Sequence, residues 1–203
     1  MAAGSTGYDL PFGRQAPAGA RPGAVLLLFG EGPRGPDLLF IERAATLRSH
    51  AGQPAFPGGA LDPGDDDATA AALREAREEV GLDAGGVEVF ATLPAIGVRE
   101  SGFAVTPVLA WWRTPHAVGP VDPAEVAVVE RIALADLADP SNRCAVEYGN
   151  GRHGPAFEVH GLLVWGFTAY VTDRVLEWGG WALPWVPEPM LDRPVALAPP
   201  VTE

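Results

Sequence analysis

Three glutamates in one short segment have the spacing to hold a divalent metal ion. Glu75, Glu78 and Glu79 lie within residues 74–82, which read REAREEVGL. At about 100° per residue, a helix places these carboxylates within roughly a third of a turn, while apolar residues share a different face. Close carboxylates repel unless a cation lies among them, and oxygen-only ligands favour Mg²⁺ or Mn²⁺. The segment predicts a metal-binding helix; the alternative is a solvated face balanced by neighbouring arginines.

A turn-forming segment precedes this helix. Residues 56–64 read FPGGALDPG, and the glycines can bring backbone carbonyls close to a metal or a phosphate. The three aspartates at 65–67 can cap the helix and favour its positive end. We expect the helix to run from about residue 67 to residue 80 and to end before Gly81.

Residues 59–82 resemble the Nudix box, the signature of hydrolases that split a nucleoside diphosphate linked to another group. The signature is glycine, five residues, glutamate, seven residues, then arginine, glutamate, an apolar residue, any residue, two glutamates, any residue, glycine and an apolar residue. The helical half matches in full. The loop half carries one extra residue: counting forward from Gly59 puts Asp65 at the first glutamate position, and counting back from Arg74 puts Asp66 there.

A second motif upstream is similar to the one that marks the coenzyme A pyrophosphatase branch of the Nudix family. It consists of an arginine-alanine pair, an arginine, a glycine and a Phe-Pro-Gly-Gly run, separated by three residues each: Arg43-Ala44, Arg48, Gly52 and residues 56–59. The match departs from the branch at its opening, residues 39–42. Weaker similarity extends over residues 21–185.

The resemblance implies a fold, a cofactor and a reaction. The fold would be α/β, a Nudix-type α/β/α sandwich with a mixed central sheet. The reaction would be water attack on a pyrophosphate, with Mg²⁺ or Mn²⁺ lowering the pKa of the water. Glu75, Glu78 and Glu79 would be metal ligands, and the resemblance adds the Gly59 carbonyl. Arg74 would orient Glu75 through paired hydrogen bonds.

Two loop glutamates are candidates for the general base. Nudix enzymes draw the base from the box helix or from a distant loop. Glu125, within residues 122–126, is the first loop candidate and joins Glu75 and Arg74 in the predicted catalytic set. Glu100 is the second candidate. Each is also explained as a solvated loop acid.

Three residues of the upstream motif segment are candidate substrate contacts: Arg43, Arg48 and His50. Arginine forks can grip both the pyrophosphate and the 3′-phosphate of coenzyme A. The alternatives are an arginine whose stem packs on the sheet and a histidine that caps its loop. These residues favour coenzyme A as the small-molecule substrate.

The predicted activity is cleavage of coenzyme A or acyl-CoA to phosphopantetheine species and adenosine 3′,5′-bisphosphate. Another nucleoside diphosphate derivative is the alternative within the family: ADP-ribose, a dinucleoside polyphosphate or a nucleoside triphosphate. A different class is also open, a regulatory Nudix domain that binds a nucleotide without cleaving it. The complete set of helix glutamates counts against that class.

The composition agrees with one enzyme domain. A chain of 203 residues with 47% hydrophobic residues can bury one ordinary core, and its formal net charge of −12 disfavours binding to nucleic acid or anionic membranes. Cys144 is the only cysteine, which excludes an intrachain disulfide and a cysteine-based zinc site. Without a signal sequence or a long apolar run, a cytoplasmic location is expected; a homodimer is left open.

We expect three regions along the chain: a flexible N-terminal arm at 1–22, the Nudix hydrolase domain at 23–185 and a proline-rich C-terminal tail at 186–203. Besides the metal helix, short helices are predicted at 134–138 and 168–177. Apolar runs predict the strands, which are 24–29, 38–43, 87–93, 103–113 and 126–132, with possible strands at 144–148 and 162–165.

Overall fold

The protein folds into two β-sheets and three α-helices in the part that the structure, a computed structural model, describes: residues 16, 18–47, 50–98, 101–149 and 151–192. The helices are α1 Ala68–Val80, α2 Leu134–Ala138 and α3 Gly166–Trp178. The strands are β1 Arg21–Gly32, β2 Gly35–Arg43, β3 Pro54–Ala55, β4 Gly58–Ala60, β5 Val87–Thr92, β6 Ile96–Val98, β7 Phe103–Trp112, β8 Val126–Ala133, β9 Arg143–Gly149, β10 Arg152–Val159, β11 Leu162–Val164 and β12 Met190–Asp192. Within these described ranges, no helix is long and apolar enough to cross a bilayer.

A mixed eight-stranded sheet lies at the centre. β1 runs parallel to β7 and antiparallel to β2 and β4. On one side β2 pairs with β3 and β8, and on the other β7 pairs with β5 and β6. The central strands β1 and β2 are buried over most of their length, which explains their continuous apolar runs.

Two hydrophobic cores cover the two faces of this sheet. Successive side chains of a strand point to opposite faces, so Leu26 and Leu28 pack in the core that holds α1. Leu27 and Phe29 pack in the other core, which contains residues of α2, α3 and β10. The helices therefore lie on both faces of a mixed sheet, and the predicted α/β/α sandwich is confirmed.

A second sheet, with strand order β11-β10-β9-β12, lies on the α3 side. The sequence predicted β9 and β11 as possible strands but not β10 or β12. Gly154 and Pro155 stand in the middle of β10, and such residues break the usual strand signature. β12 has three residues, falls within the region expected to be a tail, and pairs in parallel with β9.

Both ends of α1 are fixed as the sequence indicates. Asp67 precedes the helix, and its carboxylate accepts a hydrogen bond from the Ala70 amide at 2.8 Å. Gly81 ends the helix in the left-handed conformation, with φ of 73°, and its amide donates to the Arg77 carbonyl at 3.0 Å. These two caps hold the register of the glutamates on α1.

Candidate active site

Arg74 is the centre of the polar network on α1. Its Nε and Nη2 atoms donate to the two oxygens of Asp65, each at 3.0 Å. Its Nη1 atom donates to Glu75 Oε1 and to Glu78 Oε2, both at 3.0 Å, and Nη2 also reaches the Ala60 carbonyl at 3.0 Å. The Asp65 carboxylate raises the pKa of Arg74, so the guanidinium stays charged. One side chain thus joins the loop to two helix glutamates.

The structure decides which aspartate faces this arginine. Asp65 binds Arg74 by two parallel hydrogen bonds, and its Oδ2 atom accepts the Asp62 amide at 2.8 Å. The bonds from Arg74, and then from the Asp62 amide, hold the pKa of Asp65 below its usual value. Asp66 is exposed. The loop acid that binds the arginine of the helix is therefore Asp65.

Glu79 is the most buried of the helix glutamates, with a side chain 7% exposed. Its Oε2 atom accepts the Gly58 amide at 3.0 Å, and Oε1 lies 3.5 Å from Arg43 Nη1. Burial raises its pKa from the ordinary value of 4.5 to about 7; Gly58 and Arg43 oppose this rise, and the charges of Glu75 and Glu125 add to it. A carboxylate in such a position gains from a neighbouring cation.

Glu75 lies directly against the β4 backbone. A Cβ atom on Gly59 would overlap its carboxylate, so only glycine leaves room for both groups. Burial raises the pKa of Glu75, Arg74 opposes this rise, and Glu78 adds to it. The Gly59 carbonyl oxygen faces β1, close to Gly23.

The helix glutamates do not converge on one point. Across the described ranges, no three His, Cys, Asp or Glu side chains are already gathered as a metal-binding group. Glu75 and Glu78 turn to Arg74, while Glu79 turns to the Gly58 amide. The donors nevertheless fit a hard divalent ion in their chemistry, because all are oxygens and the buried Glu79 is flanked by further negative charge.

The structure places Glu125 beside this network. Its backbone carbonyl accepts the Ala44 amide at 2.9 Å, at the end of β2 next to Arg43. Its side chain is exposed, and its charge contributes to the raised pKa of Glu79. Glu100, the second candidate base, lies outside the described residues.

A cavity of about 340 Å³ adjoins the network. Arg43, His50, Gly58 and Gly59 all line it, so two of the three predicted substrate contacts share one space with the loop before α1. Arg48 lies outside the described residues. Backbone hydrogen bonds also join Arg43 to the segment Gly52-Gln53. The Arg43 carbonyl accepts the Gly52 amide at 3.0 Å, and the Arg43 amide donates to the Gln53 carbonyl at 3.1 Å.

Sequence reasoning did not single out four aromatic residues that line the cavity. Phe103, Tyr148, Trp165 and Phe167 line it and come from β7, β9 and the start of α3. An excess of tryptophan signals stacking surfaces or core anchors in general, but it does not say which ring faces a pocket. β7, β9 and the start of α3 bring these rings to the same cavity as Arg43, Gly58 and Gly59.

Comparison with known proteins shows the family. The NUDIX domain model matches residues 19–147. The chain is 36% identical over 162 residues to the uncharacterized Nudix hydrolase NudL of Photorhabdus laumondii, which covers 77% of this chain and 84% of the relative. It is 52% identical over 89 residues to NudL of Cronobacter sakazakii, covering 44% of this chain and 45% of the relative.

A solved structure agrees with the fold. The Nudix hydrolase RenU of M. smegmatis superposes with a TM-score of 0.57 and 22% identity, covering 82% of this chain and 89% of its own. The chain belongs to the Nudix family and is a hydrolase that acts on pyrophosphate bonds. Members of this family generally use divalent metal ions.

Glu79→Gln is expected to stabilise the metal-free protein above neutral pH and to have little effect in acid. Because the folded state raises the pKa of Glu79, the wild-type free energy of unfolding falls as the pH rises from about 4.5 to about 7. The shift corresponds to roughly 3 kcal/mol in favour of the variant at pH 8. Urea unfolding of both proteins in EDTA at pH 5 and pH 8 measures this difference. An equal difference at both pH values would contradict it.

Asp65→Asn is expected to lower pyrophosphatase turnover by about 10- to 100-fold, a common effect of removing a residue that orients metal-binding groups. The neutral side chain no longer holds the Arg74 guanidinium against Glu75 and Glu78. Asp66→Asn is the matched control, since Asp66 is exposed. Steady-state kinetics at saturating metal compares the turnover of the two variants. Equal activity of both variants would show that the Asp65 contact does not matter for turnover.

Proposed function

We propose that the protein is a Mg²⁺- or Mn²⁺-dependent pyrophosphohydrolase that cleaves coenzyme A or acyl-CoA to phosphopantetheine species and adenosine 3′,5′-bisphosphate. One observation carries the proposal. Arg43 and His50, from the segment similar to the coenzyme A branch, line the same cavity as Gly58 and Gly59 of the Nudix loop. A substrate phosphate in that cavity would meet the cationic side chain of Arg43 next to Glu79.

The α1 network would hold the metal and the attacking water. Glu75, Glu78 and Glu79 would be the ligands, joined by the Gly59 carbonyl through the lone pair that it does not direct at β1. A bound ion would supply an activated water and neutralise charge on the phosphate oxygens. Arg74 keeps Glu75 and Glu78 close together on the helix. Their side chains would shift part of their bonding from Arg74 to the ion.

Two further residues would act on the substrate. Glu125 would take the proton from the attacking water as general base, because it is exposed at the rim of the α1 network and close enough to influence Glu79. His50 would donate to a phosphate: its ring lies in the cavity lining, and its Nδ1 atom is 2.8 Å from Gln53 Oε1, a contact that fixes the ring. Arg48 is proposed as a further phosphate contact from the sequence motif alone.

The other family substrates keep the same chemistry at the pyrophosphate and differ in the groups on either side. A regulatory domain that binds nucleotide without cleavage would have little use for three helix glutamates, a buried one among them. We place the enzyme in the cytoplasm, acting on a small molecule and not on nucleic acid, in keeping with its net charge of −12. A homodimer remains a hypothesis.

The substrate is tested by incubation with Mn²⁺ and separate coenzyme A, ADP-ribose, dinucleoside polyphosphate and nucleoside triphosphate samples, with products identified by mass spectrometry. We expect phosphopantetheine and adenosine 3′,5′-bisphosphate from coenzyme A, and none from the Glu79→Gln variant. Cleavage of ADP-ribose but not of coenzyme A would overturn the branch assignment. No cleavage of any diphosphate would favour the regulatory class.

Glu125→Gln is expected to lower turnover by about 10² to 10⁴ with a small change in KM, the usual effect of losing a general base. Glu88→Gln is the control, because Glu88 is an exposed acid on β5 whose partner is Arg113. The two variants are compared by steady-state kinetics on the substrate found above. Near-normal turnover of the Glu125 variant would remove it as the base.

A further inference from the structure

The lining of the cavity beside α1 has two chemically different parts. One part carries charge and hydrogen-bonding groups, and it consists of Arg43, His50 and the Gly58-Gly59 backbone. Four rings form the other part, and we call them the aromatic wall: Phe103, Tyr148, Trp165 and Phe167. A ligand that contacts both parts must present phosphate to the first and an apolar surface to the second.

The aromatic wall is held in place by contacts of its own. The ring centroids of Tyr148 and Trp165 lie 6.3 Å apart with planes 31° from one another. The Tyr148 hydroxyl accepts the Gly166 amide at 3.0 Å, which ties β9 to the first turn of α3. Trp165 and Phe167 are half-buried at this turn. The wall therefore offers ring surface that is already positioned.

We propose that the aromatic wall binds the purine base of the substrate nucleotide, with Trp165 as its main stacking surface. The inference rests on the proposed function, because Arg43, His50 and the Gly58-Gly59 backbone of the same cavity would hold the pyrophosphate. Flat rings suit a flat base, and an aromatic side chain gains from stacking on every base. The wall thereby makes a nucleoside the preferred group on one side of the scissile bond.

The size of the cavity favours this occupant over the pantetheine arm or an acyl chain. About 340 Å³ is at the small end of ligand pockets, so the space accepts one half of a coenzyme A molecule and not both. A rigid base loses less freedom on binding than a flexible arm with many rotatable bonds. Gln53, Ser101 and Thr168 also line the cavity and supply polar groups suited to the edge of a base. The arm would extend toward solvent.

Most of the wall lies beyond the matched family domain. The family model covers residues 19–147, and Tyr148, Trp165 and Phe167 follow it. β9 to β11 and the start of α3 carry these rings to the loops of the central sheet. The C-terminal region of this chain thus contributes substrate selection to a site whose chemistry belongs to the family domain.

The test compares AMP with ribose 5-phosphate, two phosphates that differ only in the base. Affinities are measured by calorimetry in Mn²⁺ for the wild type, Trp165→Leu, Trp165→Phe and Trp178→Ala. Leucine keeps apolar volume but removes the flat ring, phenylalanine keeps a ring, and Trp178 is an exposed tryptophan outside the cavity. Circular dichroism and thermal unfolding check each variant, and Phe167→Leu probes the same wall independently.

We expect the wild type to bind AMP at least tenfold more tightly than ribose 5-phosphate. Trp165→Leu should lose about tenfold in AMP affinity with no change for ribose 5-phosphate, and Trp165→Phe should stay within about threefold of the wild type. Phe167→Leu should lower the affinity for AMP but not the affinity for ribose 5-phosphate. Trp178→Ala should match the wild type for both ligands.

Three results would overturn the inference. A wild type that does not distinguish the two ligands has no base site in the cavity. Equal losses for both ligands in Trp165→Leu would mean that the ring acts on phosphate binding or on folding. Phosphopantetheine is titrated in the same way as a third ligand, and a wall variant that loses affinity for it but not for AMP would place the arm against the wall. Failure to hydrolyse coenzyme A together with a Trp165-dependent preference for AMP would instead disprove the proposed substrate and support the base site.

Discussion

The bidentate ion pair between Arg74 and Asp65 is the contact on which the rest of the site depends. It ties the turn before α1 to the middle of the helix, and the same guanidinium holds Glu75 and Glu78. Without that positive charge, the nearby carboxylates would repel one another and splay apart. An arginine with five donors can satisfy several partners at once, and a lysine could not match this geometry.

The central sheet sets the second constraint, which is the burial of Glu79. α1 packs on both β1 and its neighbour β4, and Glu79 lies on this buried side of the helix together with Ala72 and Ala76. Gly59 leaves room for the Glu75 carboxylate and Gly58 leaves room for β1, because a Cβ atom at either position would overlap these neighbours. The two glycines let β4 pack closely against β1 on one side and Glu75 on the other, and Glu75 and Glu79 are partly desolvated there.

The local sequence pattern was enough to predict the helices and strands that have strong periodicity or strong caps. Asp67 and Gly81 mark the ends of α1, and the apolar runs of β1 and β2 mark strands that are buried on both faces. β10 was missed because Gly154 and Pro155 interrupt its pattern, and β12 because three residues carry little local signal. The second sheet depends on pairing between distant strands, which no short window of sequence records.

The sequence by itself determined the family, the Nudix-box helix and the register of its three glutamates, because these follow from spacing within a few turns of chain. It left open which aspartate binds Arg74, and it did not show that Arg43 lies next to Glu79 or that aromatic residues of β7, β9 and the start of α3 line the cavity. Only the tertiary structure decided these points. The partners are separated by 9 residues for Arg74 and Asp65 and by 36 for Arg43 and Glu79, so their contact depends on how loops and layers pack and not on local conformational preference.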